Sequence, residues 1–161
     1  MAAPALSLAT ARHLVGRFLT SLWPGGPSAA DEAWVASVLN PGQADLWRRM
    51  SRPDRRHAAG VARRVVGALG HDVERPVVAA ALLHDVGKIE SGLGTLGRVV
   101  ATVAGLAGRR GHTGPRIARY LDHGPIGARL LTEAGSHPLV VAWAGEHHLP
   151  AERWSVPPAT G

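Results

Sequence analysis

Apolar residues recur at intervals of three and four along most of the chain, and no stretch alternates as a half-buried strand would, so the sequence predicts an all-α protein. Breakers divide the pattern into helices. An amphipathic first helix over residues 1–22 stops at Pro24-Gly25-Gly26-Pro27, and a second starts at Asp31 and ends near Asn40-Pro41-Gly42. A short third helix holds Leu46, Trp47 and Met50. Arg52-Pro53-Asp54 opens a longer one that carries Val61, Val65, Val66 and Leu69 to Gly70, where glycine supplies a left-handed stop. Pro76 begins a very apolar helix that finishes on Ala79-Ala80-Ala81-Leu82-Leu83. Beyond a Gly-rich interval, 91–111, two more helices are expected, at about 124–134, closed by Gly135, and at about 138–148. The Pro-rich tail, 149–161, carries little regular structure.

A chain of 161 residues with 45% hydrophobic and 19% charged residues can bury one sizeable core, which implies a compact single-domain helical bundle and excludes a disordered chain. With no cysteine, disulfides, thiolate metal sites and cysteine nucleophiles are all excluded, and a cytoplasmic setting is expected. The longest apolar stretch, 93–108, is interrupted by Arg98 and falls short of the roughly 20 residues of a membrane span. Residues 1–22 hold Arg12 and Arg17 without an acid, as transit peptides do, but their apolar spacing favours an ordinary helix. The net charge of +6 comes from scattered arginine pairs, among them Arg55-Arg56 and Arg63-Arg64; binding of nucleic acid through them is possible but not favoured over a solvated surface. Every basic residue is Arg except Lys88. Trp34, Trp47 and Trp143 fall on apolar helix faces, and Trp23 and Trp154 border turns where they can pack on helix ends.

Candidate chemistry lies in the histidines. His84-Asp85 follows directly on the apolar run, where an imidazole and a carboxylate without partners would carry a desolvation cost that a metal ion relieves. His57, His112 or His123, His147 and His148 can be gathered with them. Imidazole and carboxylate together suit a divalent ion of the Mn, Fe, Co, Ni or Zn type better than Ca or Mg. Neighbours on a helix project about 100° apart, so only one of His147 and His148 is expected to face a given ion. His71 and His137 fall at helix boundaries as caps or surface residues.

His57 on one helix, Leu82-Leu83-His84-Asp85-Val86-Gly87-Lys88, His123-Gly-Pro-Ile-Gly-Ala-Arg-Leu-Leu and Glu146-His147-His148 occur in this order. From His57 to His148 the sequence resembles the HD superfamily of metal-dependent phosphohydrolases, in its branch with additional histidines, to which the HD-GYP proteins belong. The resemblance implies an all-α fold in which 1–51 form N-terminal helices on the core, 52–148 the HD metal-binding domain, and 149–161 the start of a further helix. It implies that His57, His84 and Asp85 hold a first metal, that Asp85 bridges to a second, and that His123, His147 and His148 hold that second ion. Lys88 matches the motif lysine that contacts substrate phosphate, and Asp85 and Lys88 are the implied catalytic pair. The implied reaction is attack of metal-activated water on a phosphate mono- or diester, with a small, nucleotide-like substrate.

Two features depart from the family pattern. No aspartate follows Asp122, although the pattern ends with one beyond the two histidines; a shortened chain is the favoured expectation, with Glu146 or Glu152 as alternatives for the vacant place. No Gly-Tyr-Pro segment follows His148, which argues against a cyclic dinucleotide substrate. An impaired metal- and nucleotide-binding regulatory module is the alternative to an enzyme.

Overall fold

The computed structural model describes residues 25–70, 72–93 and 114–155, and every regular element among them is helical. In chain order these are α1 (Ala29–Val38), α2 (Pro41–Arg49), α3 (Arg52–Leu69), α4 (Arg75–Leu83), a 3₁₀ segment (Val86–Ser91), α5 (Pro115–Leu121), α6 (His123–Glu133), α7 (Pro138–Glu146) and a last 3₁₀ turn (Ala151–Arg153). The helix expected over 1–22, His13, Trp23, His71, His112 and most of the 91–111 interval lie outside the described residues. No helix among the described residues is long and apolar enough to cross a membrane.

Local chemistry sets the corners, at the start of α1 differently from the sequence reading. Ser28, not Asp31, caps α1: its Oγ accepts from the Asp31 N–H at 3.0 Å, which puts Asp31 inside the first turn, where a carboxylate favours the helix N-terminus. α1 ends at Val38, beside Asn40-Pro41-Gly42 as expected, and the same residues also start α2. Asn40 Oδ1 accepts from Gln43 N at 2.7 Å while Gln43 Oε1 accepts from Asn40 N at 3.0 Å, and Pro41 occupies a first-turn position that needs no N–H donor. Gly70 closes α3 at φ +91°, as the sequence predicts. α5 is an element the sequence reading did not contain.

The bundle is built around α4. Val77 through Leu83 are all buried, so this helix has no polar face and sits in the centre. Ala58, Ala59 and Ala62 of α3 let that helix approach it closely, and Leu130 and Leu131 of α6 and Val140 and Ala144 of α7 complete the same core. α1 and α2 add Val35, Leu39, Leu46, Trp47 and Met50. They are fastened by Glu32, which accepts from Trp47 Nε1 at 2.8 Å and from Arg55 Nη1 at 3.0 Å. Arg63 pairs with Asp31 at 3.0 Å and lies 3.9 Å over the Trp34 ring, and Arg56 donates to the Gly25 carbonyl. Three of the four arginines in the two pairs singled out from the sequence are thus engaged within the protein. Trp154 packs on Trp143, with ring centroids 5.9 Å apart, and donates to the Leu149 carbonyl.

The 3₁₀ segment lies against the start of α6 with no room for a side chain at Gly87. A Cβ there would sit 1.9 Å from the His123 carbonyl oxygen and 2.7 Å from Gly127 N, both backbone atoms. Gly87→Ala is therefore expected to push the segment off α6 and destabilise the fold by about 1–3 kcal/mol or more. Gly67, exposed on α3 with nothing near its would-be Cβ, provides the contrast: Gly67→Ala should stabilise by up to about 1 kcal/mol. Urea denaturation of the two variants beside the parent protein checks both.

Candidate metal centre

α4 ends where its apolar face runs out, and His84 and Asp85 follow in the turn before the 3₁₀ segment. The Asp85 side chain is only 5% exposed, at the C-terminal end of a helix, where the backbone already contributes negative partial charge. Cationic and hydrogen-bonding groups surround it. Lys88 Nζ lies 2.5 Å and His84 Nε2 3.4 Å from Oδ2; His123 Nε2 lies 3.2 Å and His147 Nε2 3.7 Å from Oδ1. Burial works against ionisation here. The Lys88 ammonium outweighs it and holds the Asp85 carboxyl well below the usual carboxylate range.

Three of the histidines are oriented by one device. The Nδ1 of His84 is 2.9 Å from the Ala81 carbonyl, that of His123 2.7 Å from the Tyr120 carbonyl, and that of His147 2.9 Å from the Ala144 carbonyl, in each case three residues back. A carbonyl accepts only, so Nδ1 carries the proton in each ring and Nε2 presents a lone pair. All three Nε2 atoms point at Asp85. This carbonyl-held tautomer is the arrangement that ligating histidines use.

The donors form two groups that share one carboxylate. His57, His84 and Asp85 bring ligand atoms within 4.8 Å of one another, and so do Asp85, His123, His147 and His148. The fold therefore gathers all six candidate ligands, and Lys88, in one place. His147 and His148 differ from the helical expectation. α7 ends at Glu146, the chain turns at His147, and the two rings lie 3.9 Å apart within the same group. His148 Nε2 approaches His123 Nε2 at 2.8 Å. Glu146, weighed as a ligand, faces elsewhere: its carboxylate accepts from Ser155 N and Oγ, both at 2.6 Å. Glu152 is exposed and absent from both donor groups. His137 caps α7, its Nδ1 accepting from Leu139 N at 3.2 Å.

The residues fit a divalent cation. His147 Nε2 is buried with no hydrogen-bond partner among the described residues, a cost that a ligated ion would remove. The mixed nitrogen and oxygen donor set favours borderline ions over calcium or magnesium. Two contributors had no clear signal in the sequence. Tyr120 supplies the carbonyl that orients His123, and its ring lies 5.9 Å from the His123 ring. Arg129 joins Glu90 at 2.5 Å and Glu133 at 2.8 Å, pinning the Lys88 segment to α6. Gly114-Pro115 at the start of α5 is the start signal through which Tyr120 could have been found.

The all-α bundle gathers five histidines around a buried carboxylate in an arrangement that could hold a metal ion. The family model for the HD domain matches residues 56–159, and the chain belongs to this family of metal-dependent phosphohydrolases. Searches of curated proteins and of solved structures find no match.

The site makes acid costly. Withdrawal of its ring from water, then the neighbouring His147 and His123, push His148 down to about 4. As pH falls from about 6.5, the unfolded chain protonates His148 before the folded protein does, so stability is lost over the interval down to about pH 4. Asp85 adds to the loss at lower pH, because its folded carboxyl stays ionised after the unfolded one has taken up a proton. For protein treated with chelator, urea midpoints should fall between pH 7 and pH 5, and by less in His148→Gln.

Proposed function

We propose that the protein hydrolyses a small phosphate mono- or diester with a nucleotide-like leaving group, as a metal-dependent phosphohydrolase. The carrying observation is the pair of donor groups that meet at Asp85, with the Lys88 ammonium beside them. In this reading His57, His84 and Asp85 hold one ion, and Asp85, His123, His147 and His148 hold another. When bound, ions of the Mn, Fe, Co, Ni or Zn type supply the Lewis acidity that activates water and offsets charge on the phosphoryl oxygens. The protein's own part is positioning. Asp85 holds both places together, and the carbonyls of Ala81, Tyr120 and Ala144 keep three imidazoles aimed through Nε2. Lys88, on its flexible stem, reaches a phosphate oxygen as a compact charge. The helices before residue 52 brace this core, and a reducing, cytoplasmic setting suits a chain without cysteine.

The second group offers four protein donors and the first three. The first equivalent of metal is therefore expected at Asp85, His123, His147 and His148. The three-donor group, with Glu146 engaged by Ser155, supports a second reading in which metal and nucleotide bind without turnover.

Elemental analysis of untagged protein, beside an assay with a generic phosphodiester and with nucleotides, tests both readings. Asp85→Ala should lose metal and activity together while the helical circular dichroism survives. Lys88→Ala should keep its metal and lose about 10²-fold in turnover, the scale typical of removing one charge-stabilising donor. Full metal content in the Asp85 variant would reject the site. Metal and nucleotide binding without hydrolysis would favour the regulatory reading.

A further inference from the structure

The chain has one lysine and one tyrosine, 32 residues apart in sequence, and the fold sets them face to face. Lys88 Nζ lies 5.7 Å from the centroid of the Tyr120 ring, within the range in which a ring's electron-rich face attracts an ammonium. The contact follows from packing: α5 lies along the 3₁₀ segment that carries Lys88, and Arg119 of α5 donates to the Glu90 carbonyl of that segment. Tyr120 is half-buried, and its hydroxyl has no hydrogen-bond partner among the described residues. The ring face, not the hydroxyl, is the part of the side chain in use.

We infer that Tyr120 is a positioning residue whose ring face holds the Lys88 ammonium toward the phosphate side of the metal centre. The inference rests on the proposed function. If the Asp85 oxygens serve as metal ligands, the ammonium shares its ionic partner with divalent cations, and the Tyr120 face is the contact it keeps for itself. A lysine side chain has considerable rotamer entropy to lose on being fixed. A ring beside the ammonium narrows that freedom without neutralising the charge, so the charge stays available to an anion. Asp85 alone would hold Lys88 as an internal ion pair. The same residue's backbone carbonyl orients His123 at 2.7 Å, so one turn of α5 places both a metal donor and the phosphate contact.

Binding of inorganic phosphate to Mn²⁺-loaded protein, followed by calorimetry with metal content measured on each sample, separates the ring from the fold around it. Tyr120→Leu should raise the Kd for phosphate about three- to tenfold, as loss of a partly desolvated cation–π contact does. Tyr120→Phe should bind as the parent does. In a Lys88→Ala background, which itself binds phosphate weakly, Tyr120→Leu should add nothing. Replacing Tyr120 by phenylalanines bearing one, two and three fluorines weakens the ring's negative face without altering its packing, and should raise the Kd stepwise. That series decides the matter even if the leucine variant does not fold. Equal weakening by Tyr120→Leu with and without Lys88, or a flat fluorine series, would overturn the inference and leave the proposed function standing. Unchanged phosphate binding in Lys88→Ala, or no uptake of Mn²⁺ by the parent protein, would overturn both.

Discussion

A helix with no polar face carries a carboxylate into the interior, and the carboxylate stays ionised there. Taking such a charge out of water costs several kcal/mol even after the protein relaxes, and the C-terminal end of α4 adds unfavourable charge of its own. The surroundings of Asp85 answer that cost. His84 is its chain neighbour, Lys88 returns within one turn, and His123 and His147 arrive from α6 and α7. The close packing of the 3₁₀ segment on α6 at Gly87 brings these elements within reach of one oxygen pair.

The rest of the architecture can be read as support for that point. α4 must be central because every residue from Val77 to Leu83 is apolar and buried, and the small residues of α3 allow it to be covered from one side. α6 and α7 cover it from another and end or begin at the site with their histidines. The polar fasteners lie elsewhere: Glu32 between Trp47 and Arg55, Asp31 under Arg63, and Arg129 between Glu90 and Glu133. Most are partly exposed, so each contributes modestly to stability. Their effect is to fix how the helices meet.

Much of this is legible in the sequence, for identifiable reasons. The 3.6-residue spacing and the Pro and Gly breakers reveal the long helices. The run Leu82-Leu83-His84-Asp85 reveals a carboxylate at the edge of an apolar segment, and the later histidines share its motif. Asn40-Pro41-Gly42 marks the end of α1 correctly, but the same residues also cap α2, and only the reciprocal bond with Gln43 reveals that second role. α5 escapes notice because it has seven residues, none of them buried, and follows a Gly-rich interval. With it goes Tyr120. Glu146 could not be assigned from its place beside His147, since the direction of its carboxylate depends on Ser155, nine residues on.

The carbonyls that hold His84, His123 and His147 belong to the last turns of α4, α5 and α7. Three helices therefore aim their negative poles at one small volume, and α6 meets it with the opposite end. Preference for positive charge is thus written partly into the main chain. Side-chain replacement can remove ligands from this volume, but it leaves a backbone field that still favours a cation.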